Sequence, residues 1–523
     1  MMIKMWKNPV FSVSAVVILA FALIGAIVPN WFGEVAKNIF SIISKYFGWF
    51  FLLAVFIIAV FLIGLVFTKY GSLRLGEEHE KPEFPYFSWI GMLFGAGLGV
   101  GLVFWGVAEP MSHFYTPPFV DMEGLSETSA RVAMGYAFFH WGISQWSVYA
   151  IVGLVMAFLQ FRKKKDALIS TALEPVTGGR PLVKHTINSL SIIATVMGIA
   201  TSIGLGVMQL SGGLNSVLNI NNSNWIQLLL ILVVFLLYML SSSSGIYKGM
   251  KYLSNLNLAL AVGLLLFVFI TGPTVFILET FTLAIGDYLS NFISYSLRLQ
   301  PYRGGTWIRD WTIFYWAWAI AWSPFVGAFI ARVSKGRTIR EFILGVIIFP
   351  PVIACFWIAA FGGTALWLDL KKNTGIAETV HADVTSALFE LFRYLPISGI
   401  TSIVSMVLIL IFLVTSGDTA TYILASMTSE GSLNPPQKLK VVWGVLISVI
   451  AGVLLYAGGL EALQTASLIA ALPFTILLIL LIAAVIKLVR FEPLPIRKID
   501  LKRFRQLEKL SQQELDKKKK NNK

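Results

Sequence analysis

About twelve apolar segments, each about 18 residues or longer and nearly free of charge, constrain this chain more than any other feature of its sequence. A segment of that length crosses the hydrocarbon core of a bilayer as a helix, and only helices or closed barrels satisfy their backbone hydrogen bonds there. The composition agrees, because 57% of the 523 residues are hydrophobic and only 13% are charged. The sequence therefore predicts an all-α polytopic membrane protein.

The predicted spans lie near residues 9–28, 49–68, 87–109, 130–160, 186–211, 225–243, 253–276, 309–331, 341–367, 398–423, 439–457 and 462–487. With both termini in the cytoplasm, this assignment leaves nine of the 41 basic residues on the other side of the membrane: Lys37, Lys45, Arg131, Arg298, Arg303, Arg309, Lys371, Lys372 and Arg393. Lysine and arginine concentrate in short cytoplasmic loops, so we expect this orientation. Because the basic residues form no binding motif, no nucleic-acid partner is expected.

The assignment divides the chain into five regions. Residues 1–86 are expected to form two N-terminal transmembrane helices and a cytoplasmic loop, and residues 87–276 and 309–489 are expected to form two sets of five spans. Residues 277–308 would form an external helix along the membrane interface, and residues 490–523 a basic cytoplasmic tail. The tail ends in KKKKNNK, which favours contact with anionic lipid headgroups. A solvated, disordered end is the alternative.

Two of the spans contain residues that disfavour a helix. The eighth contains Ser323-Pro324, and the third contains four alternating glycines: Gly95, Gly97, Gly99 and Gly101. The two spans are five apart, as expected if spans 3–7 and 8–12 are inverted repeats whose first helices are discontinuous. Glycines alone would equally mark a helix-packing surface. Paired breaks at matching positions favour the repeats, and we predict a break in both spans.

An aromatic stripe accompanies the second of these breaks. Trp311, Tyr315, Trp318 and Trp322 are spaced four, three and four residues apart, which puts them on one face of a helix. Ring faces at membrane depth beside a broken helix are suited to a cationic ligand. Aromatic packing at the bilayer interface is the alternative.

Three segments resemble a known family: GAGLGVGLVFWGVAEPMSHF (95–114), FFHWGISQWSVYAIVG (138–153) and FYWAWAIAWSPFVGAFIARVSKGRTIREF (314–342). They are similar to signatures of the betaine/carnitine/choline transporter (BCCT) family, and the resemblance extends over almost the whole chain. It implies secondary transport of osmolytes across the cytoplasmic membrane of a bacterium. It also implies a LeuT-like core of two inverted five-helix repeats behind two N-terminal helices, and a homotrimer.

The resemblance implies an aromatic box for the ammonium group of the solute. The matching residues are Trp141, Trp146 and Tyr149 in the fourth span and Trp318 and Trp322 in the eighth. Many members of the family carry a further tryptophan where this chain has Ala319. One wall of the box is therefore expected to be missing, or to be supplied by Trp318 or Trp322.

The third-span glycines bear on the charge of the substrate. Unwound backbone at Gly97, Gly99 and Gly101 would offer N–H groups to a carboxylate. Choline-type members tend to carry an aspartate where this chain has Gly101, so the glycine favours a zwitterion. Glycine betaine is the expected substrate. Ala319 makes ectoine, carnitine and dimethylsulfoniopropionate more credible alternatives, and choline is a further one.

Sodium is the expected coupling ion. By the same resemblance, one sodium site consists of the Thr415 and Ser416 hydroxyls with the backbone carbonyls of Gly95, Leu98 and Phe412. The alternative is that these hydroxyls bond only to the preceding turn of their own helix.

A second sodium site is less complete. Thr195 and Phe325 match two of its residues, but Ile199 replaces a threonine ligand, so Thr201 or Ser202 would have to substitute. The number of sodium ions therefore stays open.

Other classes of protein fit less well. No nucleophile–base pair, metal cluster or phosphate loop lies at the end of a span, so neither an enzyme nor a cofactor beyond the coupling ion is expected. An osmotically gated channel and a sodium-independent exchanger are the remaining alternatives. Asp418 lies within a predicted span and is functional by default, without a role that the sequence defines. His140 is either a proton site or a hydrogen-bonded packing residue.

Overall fold

The computed structural model describes residues 7–97, 99–243, 247–302, 304–432, 434–494, 503 and 506–514. These residues form helices and connecting loops, with no β-strand among them. The helices are α1 (Pro9–Ile27), α2 (Pro29–Phe67), α3 (Tyr86–Gly97), α4 (Val100–Tyr115), α5 (Glu127–His140), α6 (Ile143–Ala157), α7 (Ile169–Thr177), α8 (Pro181–Leu218), α9 (Asn224–Ser243), α10 (Tyr247–Thr271), α11 (Thr274–Ser296), α12 (Phe314–Val333), α13 (Ile339–Lys372), α14 (Ile376–Ala382), α15 (Ala387–Arg393), α16 (Ser398–Met427) and α17 (Gln437–Arg490).

The prediction of an all-α polytopic membrane protein is confirmed. Ten helical segments of the described chain are long and apolar enough to cross a membrane. The third predicted span is not among them because it is divided between α3 and α4, which have 12 and 16 residues. The eleventh and twelfth predicted spans count as one because α17 continues through Gly459, where φ 55° and ψ −133° kink the helix.

Two helices differ in length from the predicted segments. The predicted second span is only the C-terminal half of α2, whose 39 residues begin at Pro29. A helix of that length is about 58 Å long, which exceeds the hydrocarbon core of about 30 Å. Helix α11 contains most of the segment predicted to lie along the interface and is not among the ten candidate membrane helices. Its interfacial position stays a prediction.

The predicted break in the third span is present. Helix α3 ends at Gly97 and α4 begins at Val100, and the backbone of Gly99 between them is extended, with φ −108° and ψ 175°. This divides one membrane segment into two short helices. Backbone groups near the middle of the membrane domain are thereby left free of the helical hydrogen-bond pattern.

The predicted break in the eighth span is wrong. Helix α12 runs without interruption from Phe314 to Val333, with Pro324 inside it. A proline has no N–H and leaves the carbonyl four residues earlier without its partner. Here that carbonyl belongs to Ile320, and the Ser323 hydroxyl donates a hydrogen bond of 2.8 Å to it. The serine thus satisfies the group that the proline releases, and the helix continues.

An unpredicted break divides the fourth span. Helix α5 ends at His140 and α6 begins at Ile143, so Trp141 and Gly142 lie between two helices. The phenol of Tyr288 on α11 accepts a hydrogen bond of 2.8 Å from the Ile143 N–H. A Cβ on Gly142 would lie 2.5 Å from that phenol oxygen, so the glycine permits the close approach.

The ends of several helices identify two opposite faces of the molecule. At one end, Arg162 Nε donates a hydrogen bond of 2.5 Å to Glu492, and its Nη1 donates to the carbonyls of Arg74 and Gly76. We call this end the tail face. At the other end, the far face, the Trp307 indole donates to the Thr116 carbonyl at 3.2 Å. Which face meets the cytoplasm stays a prediction.

We expect Ser323→Ala to destabilise the protein by about 1–3 kcal/mol, because it leaves the buried Ile320 carbonyl without a hydrogen bond. Thermal unfolding of the purified protein in detergent measures this. Ser147→Ala is the matched control, since the Ser147 hydroxyl also donates to a carbonyl of the preceding turn, that of Ile143, but in a helix without proline. Equal melting temperatures for the two variants would contradict the role assigned to Ser323.

Candidate functional site

A cavity of about 550 Å³ leads from the tail face toward the middle of the membrane domain. Phe87 and Ser88, at the start of α3, line its mouth, and Gly99, Trp322 and Ser416 line its deep end. Beyond Trp322 the space narrows to about 10 Å³, bounded by residues that include Gly101, Ile199 and Ser202. The cavity therefore ends at the break in the third span.

Five aromatic side chains predicted to form a box lie next to one another at this point. Their ring centroids are 5.5 Å apart for Trp146 and Tyr149, 6.2 Å for Tyr149 and Trp322, 6.4 Å for Trp322 and Trp318, and 6.1 Å for Trp318 and Trp141. All five are buried. The set brings together α6, α12 and the break in the fourth span, and we call it the aromatic cage.

The unwound third span contacts the aromatic cage directly. A Cβ on Gly101 would lie 2.2 Å from Cη2 of Trp318 and 3.3 Å from Cη2 of Trp141, and one on Gly99 would lie 3.4 Å from Cη2 of Trp322. Any side chain at position 101 would therefore displace Trp318. Gly97 is the last residue of α3.

Ala319 is fully buried between two residues of the aromatic cage along α12. The Trp318 indole donates a hydrogen bond of 3.2 Å to Ser202 on α8, which orients that ring. Trp316 lies elsewhere, with its ring 5.3 Å from Phe139. The cage at this level thus depends on Trp318 and Trp322.

Two buried polar atoms beside the cage have no hydrogen-bond partner among the described residues. They are the indole N–H of Trp322, a donor, and the side-chain oxygen of Gln145, an acceptor. The Gln145 amide nitrogen donates to the Tyr149 phenol at 3.0 Å, which fixes the amide beside the cage. A buried polar group without a partner is costly, so both atoms are suited to a polar ligand.

Four of the five residues predicted for the first sodium site line the same cavity: Gly95, Phe412, Thr415 and Ser416. The fifth, Leu98, lies outside the described residues. The Thr415 hydroxyl donates to the carbonyls of Ile411 and Phe412 at 2.9 and 3.2 Å. The bonds that the alternative reading expected for Thr415 are thus present, although a hydroxyl oxygen keeps lone pairs while it donates.

The residues considered for a second sodium site are more dispersed. The Thr195 hydroxyl donates to the Ser191 carbonyl at 2.7 Å, and the Phe325 ring packs 5.4 Å from Trp322. Thr201 bonds to Leu463 and Ser467 of α17, each at 2.9 Å. Thr201 is therefore engaged in helix packing and is a poor substitute for the threonine ligand that Ile199 replaces.

Asp418 is buried and links two helices. The Ser241 hydroxyl on α9 donates a hydrogen bond of 2.7 Å to its carboxylate. This contact ties α16 to α9. It gives the buried carboxylate a hydrogen-bonding partner, as such groups require.

The sequence analysis missed Glu109 on α4. Its carboxylate is completely buried and lies 2.6 Å from Nδ1 of His140 and 3.2 Å from Nε2 of His113. His140 is thus a hydrogen-bonded residue within a cluster, as one of its two readings expected. A carboxylate inside a predicted span is itself a signal of function, and that signal would have found Glu109.

Comparison with known proteins agrees with these features. The family described as BCCT, betaine/carnitine/choline family transporter, matches residues 9–493. The ectoine/hydroxyectoine transporter of Virgibacillus pantothenticus is 60% identical over 478 residues, which cover 91% of this chain and 95% of that protein. The glycine betaine transporter OpuD of Bacillus subtilis (strain 168) is 44% identical over 500 residues, covering 94% and 96%.

A third relative, the osmo-dependent choline transporter BetT2 of Acinetobacter baylyi, is 36% identical over 494 residues, covering 92% of this chain and 71% of that protein. The family match extends over almost the whole chain and includes every residue of the aromatic cage. The chain belongs to the BCCT family of membrane transporters.

Proposed function

We propose that this compatible-solute transporter imports a cyclic or compact zwitterion, ectoine before glycine betaine, by sodium symport. The observation that carries the proposal is the contact between the cage of five buried aromatic rings and the backbone at Gly99, in the break, and Gly101, in the first turn of α4. Ring faces attract a cationic group, and free backbone N–H groups attract a carboxylate. The two chemistries are adjacent, as a zwitterion requires.

The preference for ectoine rests on two features. Ala319 stands where many members of the family carry a tryptophan, and buried polar atoms beside the cage have no hydrogen-bond partner among the described residues. Glycine betaine carries a trimethylammonium group, which has no N–H to donate and is held by ring faces alone. Ectoine carries a flat amidinium whose N–H groups need acceptors, and the unpartnered oxygen of Gln145 is one. The similarity to a relative named as an ectoine/hydroxyectoine transporter supports the same choice.

Glycine betaine, the substrate that the sequence analysis expected, is the second candidate. Relatives named as a glycine betaine transporter and as a probable glycine betaine transporter are 44% and 41% identical to this chain. Its carboxylate would meet the same glycines, and its charged group the same rings. The two solutes therefore differ in the contacts that their cationic groups need near Ala319 and Gln145.

Transport would proceed by alternating access, with two inverted repeats moving around the cage. Sodium held near Thr415 and Ser416 would connect α16 to the broken third span and so favour the solute-binding state; solute and sodium then raise each other's affinity. Cytoplasmic termini, a homotrimer and contact of the tail with anionic lipid belong to the same proposal.

Uptake into proteoliposomes tests the proposal. We expect labelled ectoine to enter only with an inward sodium gradient, and excess unlabelled ectoine to compete better than glycine betaine, choline, carnitine or dimethylsulfoniopropionate. Strong betaine uptake with weak ectoine uptake would assign glycine betaine instead. Counterflow that persists without sodium would indicate an exchanger, and conductance without saturable uptake would indicate a channel.

Single-ring variants test the aromatic cage. We expect Trp322→Leu and Tyr149→Leu each to weaken solute affinity about tenfold, because one lost ring contact is worth about 1.4 kcal/mol. Trp225→Leu is the control, since Trp225 is 77% exposed on α9. The Michaelis constants for uptake give the comparison, and unchanged values in both cage variants would refute the assignment.

The sodium site is tested on α16. Thr415→Ala removes a hydroxyl oxygen from the proposed site, and we expect a several-fold rise in the sodium concentration for half-maximal uptake. Thr421→Ala is the matched control: its hydroxyl donates to the Asp418 carbonyl at 2.8 Å, and it lies on the same helix. Identical sodium curves for Thr415→Ala and wild type would remove the site.

A further inference from the structure

The carboxylate of Glu109 is surrounded by four hydrogen-bonding side chains. One oxygen lies 2.6 Å from His140 Nδ1 and 3.2 Å from His113 Nε2. The other accepts hydrogen bonds from the Trp141 indole, at 2.9 Å, and from the Tyr315 hydroxyl. Glu109, both histidines and Tyr315 are fully buried. Together with Trp141, these residues form what we call the Glu109 cluster.

The Glu109 cluster supplies hydrogen-bonding partners for its own buried carboxylate. Two of them are the imidazoles of His113 and His140. A buried carboxylate without a compensating partner would be strongly destabilising. His140 is oriented from its other side by the Thr312 hydroxyl, 2.9 Å from Nε2, and its ring stacks on Tyr315 at 4.6 Å.

A metal ion is a poor occupant of the Glu109 cluster, although its composition, two histidines and a carboxylate, is that of a metal site. The contact of 2.6 Å between His140 Nδ1 and Glu109 is too short for a tetrahedral ion bonded to both atoms at about 2.1 Å. Four donors already use both oxygens of the carboxylate. Hydrogen bonding therefore accounts for the arrangement.

The Glu109 cluster lies between the aromatic cage and a second cavity. This outer cavity, of about 640 Å³ at the far face, is lined by residues that include Trp105 and Trp311. The Trp311 ring is 4.4 Å from the His113 ring. On the other side, the Tyr315 ring is 6.2 Å from the Trp318 ring of the cage. The cluster thus forms the layer that separates the cage from the far face.

We propose that Glu109 is a positioning residue for solute binding. By accepting from the Trp141 indole and the Tyr315 phenol at once, it joins α4, the break in the fourth span and α12, and holds the Trp141 ring plane as the outer wall of the cage. This inference rests on the proposed function of the cage as the solute site. It adds a group that touches no solute and acts through Trp141.

A double-mutant cycle tests this role. Glu109→Gln converts one acceptor oxygen into a donor, and Trp141→Phe keeps a ring but removes the indole N–H. In the wild-type background we expect Glu109→Gln to weaken solute binding about tenfold, which corresponds to about 1.4 kcal/mol. In the Trp141→Phe background we expect the same substitution to weaken binding less than about threefold. Equilibrium dissociation constants for ectoine and for glycine betaine, at saturating sodium, provide the measurement.

Glu390→Gln is the matched control, because Glu390 is a buried glutamate of α15 that pairs with Arg393 at 2.9 Å, outside the Glu109 cluster. It should leave the dissociation constants unchanged. If Glu109→Gln cannot be recovered from the membrane, Glu109→Asp takes its place, since the shorter side chain cannot reach all four donors. Additive effects of the two substitutions, or wild-type binding in the Glu109 variant, would overturn the positioning role.

The same cycle measured as melting temperatures of the solute-free protein separates the two proposals. Coupling between Glu109 and Trp141 in stability is expected whichever solute is transported. A wild-type protein that takes up neither ectoine nor glycine betaine would refute the proposed function alone. Additive effects on binding, in a protein that does take up one of these solutes, would refute the positioning role alone.

Discussion

The need to satisfy backbone hydrogen bonds within the membrane determines which parts of this structure remain helical and which do not. Water is absent from the hydrocarbon core, so a span that departs from the helix must find other partners for its N–H and C=O groups. Pro324 does not interrupt α12 because the Ser323 hydroxyl supplies the missing donor to Ile320. The fourth span does break, because the phenol of Tyr288 receives the Ile143 N–H.

Close packing accompanies the break in the third span. At Gly101 there is no room for a side chain beside Trp318. The absence of a Cβ lets the first turn of α4, directly after the break, approach the tryptophan rings. Backbone N–H groups thereby lie next to ring faces, an arrangement suited to a zwitterion.

The residues of the cage could be named from the sequence because each belongs to a motif, and a motif records residue type and spacing. Glu109 also belongs to such a segment, but its importance comes from its partners. His113 is one turn away on the same helix, whereas His140, Trp141 and Tyr315 come from other parts of the chain. Spacing along one helix does not reveal contacts between helices, so the cluster escaped the sequence analysis. The expected break at Ser323-Pro324 is absent for a local reason, because the hydroxyl one residue before the proline donates to the carbonyl that the proline releases.

The sequence by itself determined the class of the protein: its apolar segments require membrane helices, and its motifs identify a BCCT transporter. Its motifs also named the five rings that the folded chain brings together in the aromatic cage, because a motif records residue type and spacing. Only the tertiary structure decided where the helices break and which hydroxyls are already engaged, as Thr201 is with α17. It alone placed the four donors around Glu109. The physical reason is that hydrogen bonds and ring contacts between helices depend on distances in space, and residues far apart in the chain acquire those distances only when the helices pack.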